Sequence, residues 1–515
     1  MSAVGILIGV DVGTSGLKAI AVDAGSGQVL ASATHAYPLS TPHPGWAEQD
    51  PADFAGALAL GLRSIAAALG KQARDVRAIG LTGQMHTAVL LDEARLPVRP
   101  AILWCDTRTS AECEAIRAKL GDEGLRRTTG NRALEGFTLS KLLWLRAHEP
   151  EVFARVDKVL MPKDHAGYLL TGELGADVSD ASGTLAFDPA ARAWSAEVLG
   201  AFGLPASLFP EVGDSPSVLG PLTLAMAEEV GLPAGIPVAR GAADNAAGAV
   251  GLGVVRPGRA MASIGTSGVV LAHTKGYLVE PSMRLHSFCH AVPGQYYAMG
   301  VMLSAGGALR WYRDVLSDGE KIAAELGGVD PYEIITDSAS TARAGGRGLI
   351  FLPYLMGERT PYADAGARGA LVGLTARTTK ADISRAVLEG ITFGLCDSLD
   401  LIREIDPGGA GVGEIRLTGG GARSRFWRQM MADVFDAPVA LTTSTEGPAF
   451  GAAILGGVAA GAFASVEEAA DALVHVTSRV TPEPVAAARY RDIHAVYRGL
   501  YGDLRERFRE LGRLD

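Results

Sequence analysis

Short apolar runs cut by glycine open the chain and soon give way to apolar residues at a helical period. Residues 6–10 read as a short buried strand, and residues 19–22 and 29–36, separated by the Gly25-Ser26-Gly27 turn, extend it into antiparallel hairpins. Asp50 followed by Pro51 is a helix start. Phe54, Leu58, Leu62, Ile65 and Leu69 then mark one face of an amphipathic helix that stops at Gly70. Residues 78–81 form a strand that runs into Thr82-Gly83-Gln84-Met85-His86, so this polar cluster falls on a loop at a strand end, where ligands usually sit. In the second half, Thr379 and Asp382 form a capping box ahead of Ile383, Val387, Ile391, Leu395 and Leu399, the stripe of a long helix. The last fifty or so residues read as mostly helical and charged.

The pattern repeats once. Gly13-Thr14-Ser15-Gly16 returns as Gly265-Thr266-Ser267-Gly268, 252 residues later and again after a short apolar run. We read two related halves, 1–252 and 253–515, dividing where Gly251, Gly253 and Pro257-Gly258 interrupt the periodicity. A length of 515 residues requires more than one core. Residues 447–466 carry no charge and approach the length that spans a bilayer, but five glycines, seven alanines and Pro448 make them a tightly packed small-residue helix beside a glycine-lined site.

Composition narrows the class. The net charge of −10 without a basic run argues against nucleic acid as a partner. Cys105, Cys113, Cys289 and Cys396 form no Cys-x-x-Cys pair, and the start of the chain lacks a basic leader, so we expect reduced thiols in a cytoplasm and no membrane partner. The 65 glycines are nearly twice the usual share of about 7%. Either they are scattered turns or some form backbone cradles for a ligand.

Three glycine-rich segments carry candidate chemistry. At residues 8–18 a strand, a Gly/Thr/Ser turn and a return strand let backbone N–H groups approach a phosphate, and Asp11 can hold Mg²⁺ through water. The segment lacks both the Gly-Lys-Ser/Thr of a P-loop and the Gly-x-Gly-x-x-Gly of a dinucleotide fold. Its echo has Ser263 in place of Asp11, so two hairpins could clamp a triphosphate while one holds the metal. Asp244 lies among tiny residues after the strand 236–239; as a helix-start carboxylate it is expected to keep a low pKa and to accept a hydroxyl proton. Gly419-Gly420-Gly421, between the strand 414–417 and the helix 425–434, lets a flat ring approach the backbone. His286 and His290 have a metal-helix spacing, but Phe288 and Pro293 read as a strand and no Glu completes a His-Glu-x-x-His motif.

Together with Gly136-Phe137-Thr138-Leu139-Ser140-Lys141-Leu142-Leu143-Trp144 and Gly369-Ala370-Leu371-Val372-Gly373-Leu374, followed by Asp382, Ala386 and Glu389, these segments resemble the FGGY family of carbohydrate kinases from end to end. Ala147 stands where family members usually carry a polar residue. The resemblance implies an α/β chain of two ribonuclease H-like domains, as in actin and the heat-shock chaperone ATPases, with the active site in the cleft between them. Pro42-His43-Pro44-Gly45-Trp46-Ala47-Glu48-Gln49-Asp50, Gly83-Gln84-Met85-His86, Pro162-Lys163-Asp164 and residues 353–361 are similar to the family's xylulose-phosphorylating members, whereas the glycerol-phosphorylating ones carry Gln-Arg-Glu at the Gln84-Met85-His86 loop.

The implied reaction is transfer of the ATP γ-phosphoryl group to O5 of D-xylulose, with Asp244 as base and Asp11 holding Mg²⁺ through water. Met85, His86, Asp244 and Asn245 would bind the sugar, with Asp106 as a further contact. Thr14, Ser15, Lys18, Thr266 and Gly306 match positions near the nucleotide phosphates, and Gly420, Gly421 and Arg425 match the adenine site. A homodimer is compatible with this reading. The alternatives are a kinase for another ketose or sugar acid, such as ribulose or gluconate, and a non-enzymatic actin-like nucleotide switch.

Overall fold

The computed structural model describes residues 5–406, 411–444 and 446–514. The first half is built on a mixed sheet of β1 (Ile6–Val12), β2 (Gly16–Asp23), β3 (Val29–Ala36), β4 (Val76–Gly83), β5 (Val218–Pro221), β6 (Pro237–Ala239) and β7 (Ala242–Ala243). Its order is β5-β6-β4-β1-β2-β3, with β7 also beside β4. The continuous apolar run of β1 makes it a central strand buried on both faces, while β3 alternates half-buried and exposed residues as an edge strand does. Asp50 caps α1 (Pro51–Leu69) by accepting from Ala52 N, and the helix buries Phe54, Leu58, Leu62 and Ile65 against β2 and β3. Among the described residues α1 alone is long and apolar enough to cross a membrane by length and composition; half of that stretch is buried inside the fold.

Three further helices place residues of the first half: α2 (Thr138–His148), α3 (Val178–Ser182) and α4 (Asp244–Gly251). The second half repeats the plan with β8 (Arg259–Ile264), β9 (Gly268–Thr274), β10 (His286–Cys289), β11 (Tyr296–Met302), β12 (Glu414–Gly419), β13 (Val439–Thr442) and β14 (Val476–Val480), ordered β10-β11-β9-β8-β12-β13-β14. In both sheets an antiparallel trio, β3-β2-β1 or β11-β9-β8, continues into strands parallel to its last member. The repeated Gly-Thr-Ser-Gly segments are therefore the same turn in two copies of one ribonuclease H-like topology. The helices of this half include α5 (Gly306–Leu316), α6 (Lys380–Ile405), α7 (Arg425–Phe435), α8 (Gly447–Ala459) and α9 (Pro484–Gly512). The capping box at Thr379 and Asp382 forms as expected, with the Asp382 carboxylate accepting from Thr379 N at 2.9 Å.

The uncharged stretch beginning at Gly447 supplies α8, which lies on the first half's sheet, against β1, β4 and α4. Glycine makes this contact possible. Gly9 on β1 and Gly80 on β4 are register partners, and a Cβ on either would fall 1.9 Å from Ala449 O or 1.7 Å from Ala452 O. On the other side a Cβ on Gly451 would fall 1.8 Å from Ala247 O. Part of the glycine excess thus sits under a helix, where it brings backbone against backbone.

Candidate active site

Three parallel strands end side by side. Val12 of β1 pairs with Gly83 of β4, which pairs with Ala243 of β7. Asp11 therefore lies one residue inside that edge, the Gly13-Thr14-Ser15 turn and the Gln84-Met85-His86 loop just beyond it, and Asp244 at the first residue of α4. This is the carboxyl-terminal edge at which open α/β sheets bind ligands.

The first turn is held from several directions. Gln49 Nε2 donates to Thr14 O at 2.7 Å and Trp104 Nε1 to Thr14 Oγ1 at 2.9 Å. Tyr37 OH donates to Gly13 O, and Gln84 Nε2 donates to Gln49 Oε1 at 3.0 Å. Ser15 is left exposed at the tip. Lys18, opposite Asp11 on β2, pairs with Glu446 at the start of α8, so the return strand of this hairpin is tied to the second half. The second turn exposes Thr266, whose Oγ1 accepts from Arg310 Nη2 at 3.3 Å, and the start of α5 closes on it through Gly306 N–H to Gly265 O at 2.8 Å. A Cβ on Gly306 would meet that carbonyl at 2.4 Å. Gly419, at φ +84°, and Gly421 pack against Ile264 of β8, so two of the three successive glycines are required by packing. Only the Cβ direction of Gly420 points into open space, and Arg425 is exposed at the start of α7.

The expected sugar-binding residues converge. Asn245 Nδ2 lies 3.7 Å from Met85 Sδ and 3.0 Å from Asp244 Oδ1, which also accepts from Asn245 N at 2.7 Å. His86 sits in the left-handed region at φ +66°, a conformation that must be held in place for a residue with a Cβ. Lys141 Nζ at 2.8 Å and Thr138 Oγ1 at 3.0 Å both donate to its carbonyl. Its Nδ1 bonds Gly183 O, and because a carbonyl only accepts, the proton is on Nδ1 and Nε2 is an acceptor. Burial pushes the His86 pKa down to about 3, so the ring is neutral. Below Asp244, Ala243 N–H donates to Ser179 Oγ at 3.0 Å, Ser179 Oγ to Asp177, and Asp177 pairs with buried Lys163 at 2.9 Å.

Two expectations need correction. Asp244 does not keep a low pKa: burial pushes it up to about 6, outweighing the Asn245 hydrogen bonds, because a two-turn helix start offers little against the loss of water. Asp106 is not free for a ligand. Its carboxylate takes Arg108 Nε at 2.9 Å, Arg108 Nη2 at 2.7 Å and Ala47 N at 2.6 Å, and it is buried beneath its loop. The roles of Gln49, Trp104, Ser179 and Lys141 escaped the sequence reading, although Gln49 and Lys141 lie inside motifs singled out there.

Asp11 has a buried Oδ1 without a hydrogen-bond partner among the described residues. Burial, then the nearby Asp244 carboxylate, push its pKa up to about 7. A carboxyl raised above its unfolded value of 3.8 binds more protons in the folded state, so it costs stability as pH rises from about 4 to 7. Asp11→Asn should therefore be more stable than the wild type at pH 8 in buffer free of divalent cations, by on the order of 1–3 kcal/mol, and the two should converge near pH 4. Urea midpoints against pH check this; equal midpoints at pH 8 would contradict it.

Comparison with known proteins agrees with this geometry. Residues 6–251 match the N-terminal domain and residues 260–460 the C-terminal domain of the FGGY family of carbohydrate kinases. The chain is 40% identical to the xylulose kinase of Escherichia coli (strain K12) over 96% of its own length and 99% of that protein. It is 30% identical to the gluconokinase of Bacillus subtilis (strain 168) over 95% of its own length and 94% of that protein. The crystal structure of xylulose kinase from Rhodospirillum rubrum superposes with a TM-score of 0.89 at 32% identity, over 98% of this chain and all of that one. With both domains matched in order, and the repeated hairpins and the Asp244 edge on the same two sheets, the chain belongs to the FGGY family of carbohydrate kinases and is a sugar phosphotransferase.

Proposed function

We propose that the protein transfers the γ-phosphoryl group of ATP to O5 of D-xylulose, giving D-xylulose 5-phosphate. The observation that carries this reading is the convergence of Met85 and His86 with Asp244 and Asn245 at one sheet edge. It is supported by greater similarity to xylulose kinases than to a gluconokinase. Asp244 Oδ1 is engaged by Asn245, which leaves Oδ2 to orient the acceptor hydroxyl and take its proton as transfer proceeds. His86 Nε2 accepts a hydrogen bond from a sugar hydroxyl, and Met85 offers an apolar contact to the carbon chain.

The orphaned Oδ1 of Asp11 fits a hydrated divalent cation, and Mg²⁺ there, when bound, would neutralise phosphate charge. Thr14, Ser15, Lys18, Thr266 and Gly306 would lie along the phosphates, while Gly420, Gly421 and Arg425 would border the adenine. The protein's contribution is in-line positioning and exclusion of water, since a metaphosphate-like group needs little covalent help. We place the division between the two domains near residue 252 and the transfer site between them. Phosphorus and carbon NMR of the product should show one phosphate ester at C5 of D-xylulose; an ester at another carbon would overturn the geometry.

A further inference from the structure

We propose that Arg359, from the second half, donates to the oxygens at the C1–C2 end of the sugar, the end away from the reacting hydroxyl. The inference rests on the reading that Met85, His86, Asp244 and Asn245 hold the sugar.

The backbone around Arg359 is fixed on both sides. Glu358, buried, accepts from Leu303 N at 2.9 Å and from Arg359 N at 2.8 Å. Thr360 N donates to Val301 O at 3.0 Å, its Oγ1 accepts from Val301 N at 3.1 Å, and the same hydroxyl donates to Arg284 O at 3.0 Å. These contacts pin the segment to β11 and its neighbour, yet the half-buried guanidinium they present has no hydrogen-bond or ion-pair partner among the described residues. A cation that has lost much of its water and gained no partner is costly unless a ligand supplies one.

Its surroundings identify that ligand. Thr360 ties this segment to Arg284, two residues before His286, whose ring lies 5.8 Å from Phe137, itself 4.6 Å from His86; burial chiefly lowers the pKa of both histidines, and Arg359 adds to that lowering. The His86 ring lies tilted against Phe137 at 4.6 Å, and His286 stacks on Phe288 at 5.6 Å, so an aromatic wall stands beside the pinned Arg359 segment. On this assignment the sugar would run from Asp244, past Asn245 and Met85, then His86, to Arg359. A hydroxyl at Asp244 places the opposite end of a five-carbon ketose beyond His86, where a planar fork of N–H donors suits a carbonyl and its neighbouring hydroxyl. The contact joins the halves: the first holds the sugar and the second reaches its far end.

The test is steady-state kinetics of the full chain with Arg359→Gln and Arg359→Lys, using whichever sugar the wild type accepts best. Arg359→Gln should raise KM for the sugar at least tenfold and leave KM for ATP within twofold, and Arg359→Lys should fall between. If the acceptor is a ketose, the preference over its alditol, which lacks the carbonyl, should shrink in Arg359→Gln by a similar factor. An unchanged sugar KM, or sugar and ATP KM values rising together with a lowered Tm, would overturn the proposal. A wild type that phosphorylates no sugar would remove the reading of the site and this inference with it, whereas a wild type active on another sugar leaves the KM comparison intact.

Discussion

Replacing Asp244 with Ala should lower kcat for sugar phosphorylation by at least about a thousandfold while ATP still binds. Removing a general base alone typically costs a factor of about 10²–10⁴. Here the same carboxylate also orients the acceptor hydroxyl, and misplacement adds to the loss. Nucleotide binding should survive because the Thr14 turn is held by Gln49, Gln84 and Trp104, none of which touches Asp244 in the hydrogen-bond network. Calorimetric titration with ATP and a coupled ADP-release assay on the same preparation separate the two effects. Near-normal turnover would remove Asp244 from its role; lost ATP binding would mean that the carboxylate supports the fold. In the wild type, a base with a pKa of about 6 is protonated below that value, so kcat/KM for the sugar should fall about tenfold per pH unit on the acid side.

The second large effect is structural. Gly80→Ala places a methyl 1.7 Å from Ala452 O, and the backbone of α8 must move to admit it. Overpacking that shifts backbone costs typically 1–3 kcal/mol and more where nothing flexible can yield, so about 3 kcal/mol or more is expected here. Because α8 begins at the Glu446 that pairs with Lys18, folded Gly80→Ala should also bind ATP more weakly. Gly248→Ala is the matched control. Its Cβ would meet nothing nearer than Pro448 Cγ at 3.8 Å, and in the middle of α4 the change should be neutral or stabilise by up to about 1 kcal/mol. Urea unfolding of both variants checks the contrast; equal midpoints would contradict the backbone contact described for α8.

What the sequence made legible was local. The hairpins at Gly13 and Gly265, the capping box at Thr379 and the helix after Asp50 all depend on neighbours within a few residues, and they form as read. The repeat of four residues pointed to two related halves, and each copy forms the turn between the first two antiparallel strands of its own sheet. What stayed hidden depends on partners far away in the chain. Gly80 reads as an ordinary strand glycine until Ala452 lies over it. Asp106 reads as a free acid until Ala47 N, 59 residues earlier in the chain, donates to it. The Asp244 pKa follows from enclosure, which no local pattern reports. Arg359 lay in a recognised motif, but that its guanidinium has no hydrogen-bond or ion-pair partner among the described residues shows only in the folded chain.

The central claim is most directly tested by ADP release from the wild-type chain with ATP and Mg²⁺ over a panel of D-xylulose, D-ribulose, L-ribulose, gluconate, glycerol and no sugar. The account predicts release that depends on sugar, with the highest kcat/KM for D-xylulose and little turnover without an acceptor. A higher kcat/KM for gluconate or a ribulose, or release independent of every sugar, would contradict it.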